Sequence, residues 1–371
     1  IIIIIYTSMS IISCDTKGKI EEIVVIGGGL MGSSTAWQLS KSKQNVLLIE
    51  QQDSIYTFGS SFGEARISRS LGPKEDIFSF LQQTSVNETK DLIDFLNKGE
   101  SEQLHSMENI YKTSPITYIY YKNQLNEVKG ILDGQKDRYE YASDPKDAQE
   151  KFGMKISDST IVIREFKQYS GILNPKILIN KLHYGIQKSG SKIFYNNKVT
   201  SLSKVNGIYK INVFNTKSGL SRTIMSKKVI AAAGPYNGIL VKDIAPYFSS
   251  LISPKRLFLS FLRINPDKYD SFSIDQKNKL RESYPVANFN SEIFYSMIEK
   301  NDPQDRPILK VGGHLLRTDI NNLNAVWEMD LSKQEINWSK ENSLEYLNNL
   351  NLPIEFSDLE FVRGYSCVYS V

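Results

Sequence analysis

The chain has 371 residues, enough for about two domains, and its 40% hydrophobic and 23% charged residues are typical of a globular protein with a sizeable core. The net charge is +4 and the charges are interspersed, without the long basic run typical of nucleic-acid binding. Two cysteines, Cys14 and Cys367, exclude a disulfide framework, and three histidines without metal-ligand spacing indicate no metal site.

The first twelve residues are mostly apolar, too few for a transmembrane helix but of the right length for the hydrophobic region of a secretory signal. Residues 11–14 (IISC) resemble a bacterial lipobox, in which cleavage leaves a lipidated cysteine, here Cys14. We therefore expect residues 1–19 to be a leader, with a lipid anchor as the contact with a membrane. The alternative interpretation places the true start at Met9 or later, in which case the protein is cytoplasmic.

A dinucleotide-binding fingerprint begins at residue 20. A β-branched strand over residues 20–26 runs directly into G-x-G-x-x-G, formed by Gly27, Gly29 and Gly32, and a helix is predicted over residues 33–40. Gly27 permits the tight turn, Gly29 lets the backbone approach a pyrophosphate, and Gly32 lets the helix pack close to the strand.

The same fingerprint supplies the polar contacts to a dinucleotide. The helix N-terminus offers free backbone N–H groups and a positive dipole end to the phosphates, and Leu30 and Met31, in the turn that leads into the helix, are predicted to contact the cofactor. A second strand over residues 46–49 ends in Glu50, an acid placed to accept hydrogen bonds from the adenosine ribose. This pattern predicts a bound dinucleotide but does not separate NAD from FAD.

Two arginines three residues apart, Arg66 and Arg69, lie in a segment rich in Gly and Ser over residues 59–69. We predict a helical turn that places both on one face. The segment resembles the G-S-x-x-G-[DE]-x-R-[IV]-x-R stretch of monomeric sarcosine oxidases and their relatives, the N-methyltryptophan and pipecolate oxidases. This resemblance implies FAD as cofactor, with Arg66 against the flavin ring and Arg69 binding the substrate carboxylate bidentately. Phe62 stands where that family often has histidine.

The resemblance continues through the middle of the chain. Residues 169–175 lead into a predicted helix over residues 176–189, as in the family's return to its FAD domain. Val199 matches a position whose backbone contacts the adenine side of the cofactor. Residues 228–236 resemble a second FAD-contacting motif, in which the small residue Gly234 lets the backbone approach the cofactor.

A lysine and a histidine at the family's spacing follow. Alternation in a strand places Lys310 and His314 on one face. The resemblance implies that Lys310 sits by the flavin and activates oxygen through a water, since a fixed cation stabilises the charge that develops on oxygen. It also implies that His314 and Tyr295 line the substrate pocket.

A final segment, residues 363–369, resembles the family's R-G-x-x-C-x-Y, whose cysteine carries FAD as a thioether. The resemblance implies covalent attachment through Cys367 and a Tyr369 that faces the substrate. Without this context a lone cysteine is more often a small buried hydrophobic residue.

The predicted fold class is α/β: a discontinuous Rossmann-like FAD-binding domain with a second, mixed-sheet α+β substrate domain. The FAD-binding domain is expected over residues 20–105, 160–245 and 360–371, and the substrate domain over residues 106–159 and 246–359. Within the latter, strands are predicted over residues 118–122, 257–264 and 308–311, and a helix over 330–350. The chain starts without Met and ends in a β-like run, so we expect it to be a fragment lacking the family's C-terminal segment, and inactive alone.

The resemblance predicts an FAD-dependent oxidase that oxidises the C–N bond of a small secondary amino acid, N-methyl or cyclic, with hydrolysis of the imine and reduction of O₂ to H₂O₂. The alternative is a dehydrogenase of the same fold that passes electrons to a quinone or carrier. A flavin- or nucleotide-binding protein without activity and an NAD-dependent dehydrogenase are further alternatives from other classes. The sequence leaves the amine and the oligomeric state open.

Overall fold

The computed structural model describes residues 19–54, 59–71, 77–100, 102, 104–289, 292–315, 318–320, 322–326 and 329–370. The predicted leader, with its lipobox at residues 11–14, lies outside the described residues apart from residue 19.

The described chain forms three β-sheets. Their strands, in chain order, are β1 (Ile20–Ile26), β2 (Val46–Ile49), β3 (Arg66–Ser68), β4 (Tyr111–Thr113), β5 (Ile116–Tyr121), β6 (Tyr139–Ala142), β7 (Thr160–Glu165), β8 (Gly171–Leu173), β9 (Lys192–Phe194), β10 (Asn197–Val205), β11 (Ile208–Asn215), β12 (Ser221–Ala231), β13 (Pro254–Ile264), β14 (Val286–Asn288), β15 (Phe294–Asn301), β16 (Pro307–Gly313), β17 (Thr318–Asp319) and β18 (Leu359–Ser370).

The α-helices lie between these strands. In chain order they are α1 (Leu30–Lys41), α2 (Ile77–Asn97), α3 (Leu125–Gly134), α4 (Pro145–Phe152), α5 (Pro175–Lys188), α6 (Asn237–Leu240), α7 (Pro246–Leu251), α8 (Pro266–Asp270), α9 (Ile274–Glu282), α10 (Leu323–Val326) and α11 (Lys333–Asn349).

The first sheet has six strands in the order β10-β11-β12-β1-β2-β9. Its β12-β1-β2-β9 part is parallel, while β10, β11 and β12 pair antiparallel. Val25 packs with α1, α2 and α5 on one face, and Val24 packs with β10 and β11 residues on the other, so both faces of β1 are covered. Coverage of both faces explains the continuous apolar run of this strand and confirms the Rossmann-like α/β prediction.

The second sheet has nine strands in the order β17-β13-β16-β15-β14-β5-β7-β6, with β18 paired to β13. Most pairs are antiparallel and β14 pairs parallel with β5, so the predicted mixed sheet is confirmed. Alternation in β16 sends Leu309 and Val311 into a core that includes Trp338 of α11. Lys310 therefore points to the opposite face, where a cavity lies.

Helix ends follow the local sequence. Asn174 caps α5 by accepting from the Ile177 N–H at 3.1 Å, and Pro175 occupies the first turn, where its missing N–H costs nothing. Ser332 and Glu335 form a capping box at the start of α11. The predicted helices over residues 176–189 and 330–350 are confirmed with slightly different ends.

One prediction differs from the structure. The helical turn at Arg66 and Arg69 is wrong: this segment is β3, which pairs antiparallel with β8, because the long-range partner supplies the hydrogen bonds that a helical turn would make locally. Strands β7 and β18 fall within the predicted FAD-binding ranges but pair in the nine-stranded sheet. The sequence of a strand does not specify which strand it pairs with, so sheet membership and the predicted domain ranges need not coincide. The division into two domains stays a prediction.

Candidate active site

The glycine turn after β1 is too tight for any side chain at two positions. Gly27 has φ +105°, and a Cβ there would lie 2.4 Å from the Ala232 carbonyl oxygen. A Cβ on Gly32 would lie 1.8 Å from the Gly27 carbonyl oxygen. The predicted reasons for these glycines, a tight turn and close helix packing, therefore match the geometry.

The N-terminus of α1 is left without a side-chain cap. Gly29 is its N-cap in an extended conformation and has no side chain to accept from the first-turn N–H groups. The Leu30 N–H instead donates to the Ser61 hydroxyl at 3.2 Å, and the Met31 side chain is 78% exposed. A helix N-terminus without an N-cap side chain, together with the helix dipole, suits a bound anion.

Glu50, directly after β2, accepts a hydrogen bond from the backbone of the same turn. Its carboxylate accepts from the Gly28 N–H at 2.5 Å and from the Gln52 N–H at 2.7 Å. Burial raises the pKa of Glu50, and the backbone hydrogen bonds act in the opposite direction. Since a carboxylate has about four acceptor positions, Glu50 keeps capacity for the predicted ribose contact.

Behind this turn lies a buried hydrogen-bond chain that the sequence did not reveal. His183 of α5 bonds the Ser33 hydroxyl at 2.8 Å and the Tyr195 hydroxyl at 2.9 Å, and Ser33 donates to the Gly28 carbonyl. Burial lowers the pKa of His183 to about 4, so the ring is neutral at pH 7. A lone histidine on the apolar face of a helix gave no signal of this network.

Val199 and Gly234 lie farther along this sheet. Val199 packs at the edge of the core next to a bulge in β10. Gly234 has φ +56°, and a Cβ there would meet no atom within 4 Å. The predicted cofactor contacts of both residues stay predictions, and the open space at Gly234 is compatible with them.

The second group of candidates surrounds one cavity of about 330 Å³. It lies against the face of the nine-stranded sheet opposite α11, and Ser60, Arg66, Ile67 and Arg69 contribute to its wall. Its lining includes Ser60, Arg66, Ile67, Arg69, Tyr118, Leu259, Ala287, Phe289, Ile293, Tyr295, Met297, Lys310, His314, Cys367 and Tyr369. Seven sequence-predicted site residues are thus brought together: Arg66, Arg69, Tyr295, Lys310, His314, Cys367 and Tyr369.

Strand register explains this assembly. Tyr118, Ala287, Tyr295, Gly312 and Leu259 stand in one row across five neighbouring strands. Side chains that face each other across paired strands point to the same side of a sheet. Strand pairing therefore places residues from distant parts of the chain on one wall of the cavity.

Two consecutive glycines in β16 make room for rings on both sides of the sheet. A Cβ on Gly312 would lie 2.4 Å from the Tyr295 ring, and one on Gly313 would lie 2.0 Å from the Trp338 ring. The Tyr295 hydroxyl reaches the Tyr369 hydroxyl at 3.5 Å, and the His314 ring packs edge-on against Tyr369. Tyr295, Tyr369 and His314 thus form one aromatic cluster at the cavity. His314 follows the end of β16 rather than lying within it.

Arg66 is bound by its own loop. Its guanidinium donates to the carbonyls of Ser60 at 3.0 Å and Ala65 at 2.8 Å, and also to that of Phe62. These bonds fix the loop over the cavity and hold a permanent cation at its wall. Phe62 packs instead against the ring of Tyr365 on β18.

Arg69 is exposed and faces the cavity with its guanidinium 5.7 Å from the Phe289 ring centre. Among the described residues, no carboxylate forms an ion pair with it. Next to it, the buried Glu165 accepts from the Ser70 N–H and hydroxyl at 2.8 and 2.7 Å and also from the Tyr118 hydroxyl. Glu165 therefore anchors the chain beside an arginine whose donors remain available to an anion.

Lys310 is a buried cation, 1% exposed. Its ammonium donates to the Ala65 carbonyl at 3.0 Å and to the Glu299 carboxylate at 3.1 Å. Burial, and then the charge of Arg66, lower the pKa of Lys310 to about 8, while Glu299 acts in the opposite direction. Glu299 was missed in the sequence, although its alternation with Tyr295 and Met297 places it on the cavity side of β15.

Cys367 lies in β18, buried and opposite Leu257 of β13. Burial raises the pKa of its thiol to about 11, although Arg66 and Lys310 lower it. The thiol is therefore protonated at neutral pH in the protein alone.

The part of the chain that the structure describes contains no helix long and apolar enough to cross a membrane. The same residues contain no group of three or more His, Cys, Asp or Glu side chains arranged to hold a metal ion.

Solved structures share this fold at low sequence identity. NikD, an amino acid oxidase essential for nikkomycin biosynthesis, matches as its Tyr258Phe mutant with a TM-score of 0.68 and 16% identity, over 95% of this chain and 82% of that chain. L-proline dehydrogenase from P. horikoshii matches with a TM-score of 0.67 and 15% identity, over 95% of this chain and 82% of that one. These likenesses show the fold.

Sequence comparisons give relatives among curated proteins. A probable sarcosine oxidase from Arabidopsis thaliana is 25% identical over 264 residues, which cover 71% of this chain and 60% of the plant protein. The match therefore spans less than two thirds of that relative's length. An N-methyl-L-tryptophan oxidase from Yersinia pestis is 22% identical over 276 residues, covering 72% of this chain and 68% of the relative.

Residues 22–356 match the DAO family, described as FAD dependent oxidoreductase. This match includes most of β1, the glycine turn and the strands of the nine-stranded sheet other than β18, so Cys367 and Tyr369 of the cavity lie outside it. The chain therefore belongs to the DAO family of FAD dependent oxidoreductases.

Proposed function

We propose that the full-length protein is an FAD-dependent amino acid oxidase of the sarcosine oxidase type. It oxidises the C–N bond of a small secondary amino acid, N-methyl or cyclic, and O₂ is the electron acceptor. The observation that carries this proposal is that three cationic side chains line one cavity. They are Arg69, whose guanidinium is available to bind an anion, and Arg66 and Lys310. The relatives named sarcosine oxidase and N-methyl-L-tryptophan oxidase support the substrate class.

The residues present fit FAD. The glycine turn leaves no room for side chains, and the uncapped N-terminus of α1 suits a pyrophosphate. Glu50 suits the ribose, Val199 would lie toward the adenine side, and Gly234 would let the backbone approach the cofactor. Ser61 bonds the Leu30 N–H at the glycine turn, and the neighbouring Ser60 lines the cavity, so one loop connects the two regions.

Arg69 would hold the substrate. A planar guanidinium pairs bidentately with a carboxylate, and Phe289 beneath it restricts its orientation. The aromatic cluster of Tyr295, Tyr369 and His314 would enclose the amine end and exclude water. Among secondary amines the cavity thus favours those that carry a carboxylate, that is, amino acids.

FAD, when bound, supplies the chemistry: it accepts the hydride equivalent from the carbon next to nitrogen and returns the electrons to O₂, giving H₂O₂. Arg66 and Lys310 contribute fixed positive charge where negative charge develops. With a pKa lowered to about 8, the Lys310 ammonium is also a proton donor near neutral pH. The imine product leaves and is hydrolysed in water.

Cys367 is the proposed point of covalent attachment. It lines the same cavity as Arg66 and Lys310, but its thiol is protonated in the protein alone. Thioether formation requires the thiolate. We therefore expect general alkylating reagents to modify Cys367 slowly, and attachment to need a cofactor already seated against it.

In-gel flavin fluorescence of the denatured full-length protein, beside a Cys367→Ser control, tests the cofactor proposal. Fluorescence that stays with the wild-type band and is absent from the control supports attachment through Cys367. Release of free FAD on denaturation would refute covalent attachment but not FAD binding. A peroxide assay with an amine panel tests the oxidase proposal, and turnover with an artificial acceptor but no peroxide in air would favour a dehydrogenase.

A further inference from the structure

Glu299 of β15 carries a buried negative charge at the cavity. Its carboxylate lies 3.1 Å from the Lys310 ammonium, and the two side chains are 2% and 1% exposed. The pairing of β15 with β16 shifts between Ile298 and Lys300, so Glu299 is an extra residue without a partner on β16. A bulge of this kind re-aims a side chain, here toward Lys310.

The second oxygen of Glu299 binds the loop above the cavity. It accepts from the Glu64 N–H at 2.7 Å, while Lys310 donates to the neighbouring Ala65 carbonyl at 3.0 Å. Gly63 has φ +118°, and a Cβ there would lie 2.9 Å from the Lys310 nitrogen and 3.3 Å from the Glu299 oxygen. The ion pair thus holds the backbone of residues 63–65 through hydrogen bonds to the Glu64 N–H and the Ala65 carbonyl, directly before Arg66.

The pair also balances charge. Arg66 and Lys310 are like charges close enough for Arg66 to lower the pKa of Lys310, and Glu299 raises it. The charged and titratable groups that act on Lys310 are Arg66 of β3, Glu299 of β15 and Cys367 of β18. On β18, Tyr365 interacts with Arg66 and Glu299, and Arg363 lies over the Phe261 ring that Lys310 also approaches. Among the described residues, Glu299 is the carboxylate that forms an ion pair with Lys310.

We propose that Glu299 is a positioning residue of this site, which fixes the Lys310 ammonium against residues 63–65 and lets a second cation stand beside Arg66. The proposal rests on the proposed flavin function of the cavity. In wild-type protein the ammonium keeps its place and its proton near neutral pH. Without the Glu299 charge, burial and Arg66 act unopposed and Lys310 loses its proton at lower pH.

The test is a pH titration of the visible flavin absorbance of the full-length protein without substrate, for wild type, Lys310→Met, Glu299→Gln and Glu335→Gln. Glu335 forms another buried ion pair, with Arg256, neither of which lines the cavity, and serves as the matched control. The midpoint that vanishes in Lys310→Met reports Lys310. We expect Glu299→Gln to lower this midpoint by about one pH unit or more and Glu335→Gln to leave it unchanged.

An unchanged midpoint in flavin-loaded Glu299→Gln, or no midpoint that depends on Lys310, overturns the positioning role alone. A wild-type protein that binds no flavin overturns the proposed function and this inference with it. If Glu299→Gln does not fold, the double variant with Lys310→Met decides. Recovery of folding in the double variant shows that Glu299 acts through Lys310, and failure to recover overturns the proposal.

Discussion

The glycine end of the six-stranded sheet and the cavity on the nine-stranded sheet are built in different ways. At the glycine end the working groups are backbone atoms: N–H groups at the start of α1, and two glycines that leave no space for a side chain. At the cavity they are side chains from β3, β5, β13, β14, β15, β16 and β18 and their adjoining loops.

This difference decides how each region responds to change. A backbone site depends on a short contiguous segment and on the space around it, so an added methyl group is severe there. A side-chain site depends on strand register, so one substitution removes one function and leaves the sheet intact. The four predictions below test this contrast, from the largest expected effect to the smallest.

The largest effect is expected for Gly32→Ala. Its Cβ would lie 1.8 Å from a backbone oxygen, which cannot move without opening the turn. We expect a loss of about 4 kcal/mol or more of stability, together with loss of flavin binding, measured by thermal unfolding and flavin retention. Gly134→Ala is the matched control, because a Cβ there meets nothing within 4 Å. Equal behaviour of the two variants would contradict the backbone account.

A second prediction concerns the network behind the glycine turn. His183 has a pKa of about 4 in the folded protein and 6.5 as its ordinary value, so the unfolded chain takes up the proton first as pH falls. The stabilisation is fully present above pH 6.5 and is lost toward pH 4, by at most about 3 kcal/mol. Denaturant unfolding from pH 4 to 7 should give a flatter profile for His183→Gln than for wild type. Parallel profiles would refute the assignment.

At the cavity, Arg69→Met should act on substrate binding and not on folding. Loss of two charge-assisted hydrogen bonds to a carboxylate costs about 2–3 kcal/mol, equivalent to about a fiftyfold decrease in kcat/KM. Steady-state kinetics with an N-methyl amino acid measure this. Arg281→Met, which removes a surface pair with Asp305, should change kcat/KM little. An Arg69→Met variant with wild-type kcat/KM would remove the carboxylate site from the account.

Gly312→Ala sharpens the contrast, since it adds a methyl group to the side-chain region. The Cβ would lie 2.4 Å from the Tyr295 ring, which must shift toward the cavity. We expect a cost of about 2 kcal/mol or less in stability and a decrease in kcat/KM, with flavin retained. The control is Gly238→Ala, where the nearest atom is 3.5 Å away. Loss of flavin in Gly312→Ala would show that the two regions are not separable.

The same contrast explains what the sequence could predict. The glycine turn could be predicted because its strand-turn-helix pattern lies in one short segment, which contains Gly27, Gly29, Gly32 and Glu50. The structure has this turn as expected. The cavity residues were recognised through family resemblance, because nothing in a single strand states which strand lies beside it. The same limit explains why residues 360–371 are predicted with the FAD-binding domain, although β18 pairs with β13 of the nine-stranded sheet.

The residues that were missed depend on tertiary contacts. Glu299 acquires its role from a bulge and from a loop more than two hundred residues away, and His183 from two hydroxyls on other elements. The helical turn predicted at Arg66 and Arg69 failed for a related reason, since pairing with β8 overrode local spacing. The alternation of Tyr295, Met297 and Glu299 was the available signal for the first of these.

The central claim is that one flavin cofactor is served by the backbone at the glycine end and by the side chains of the cavity. Anaerobic addition of N-methyl and cyclic amino acids to the flavin-loaded full-length protein, followed by admission of air, tests it most directly. The account predicts bleaching of the visible flavin absorbance by a secondary amino acid, recovery in air with formation of peroxide, and weak bleaching in Arg69→Met. Flavin that none of these amino acids bleaches, or equal bleaching in Arg69→Met, would contradict it.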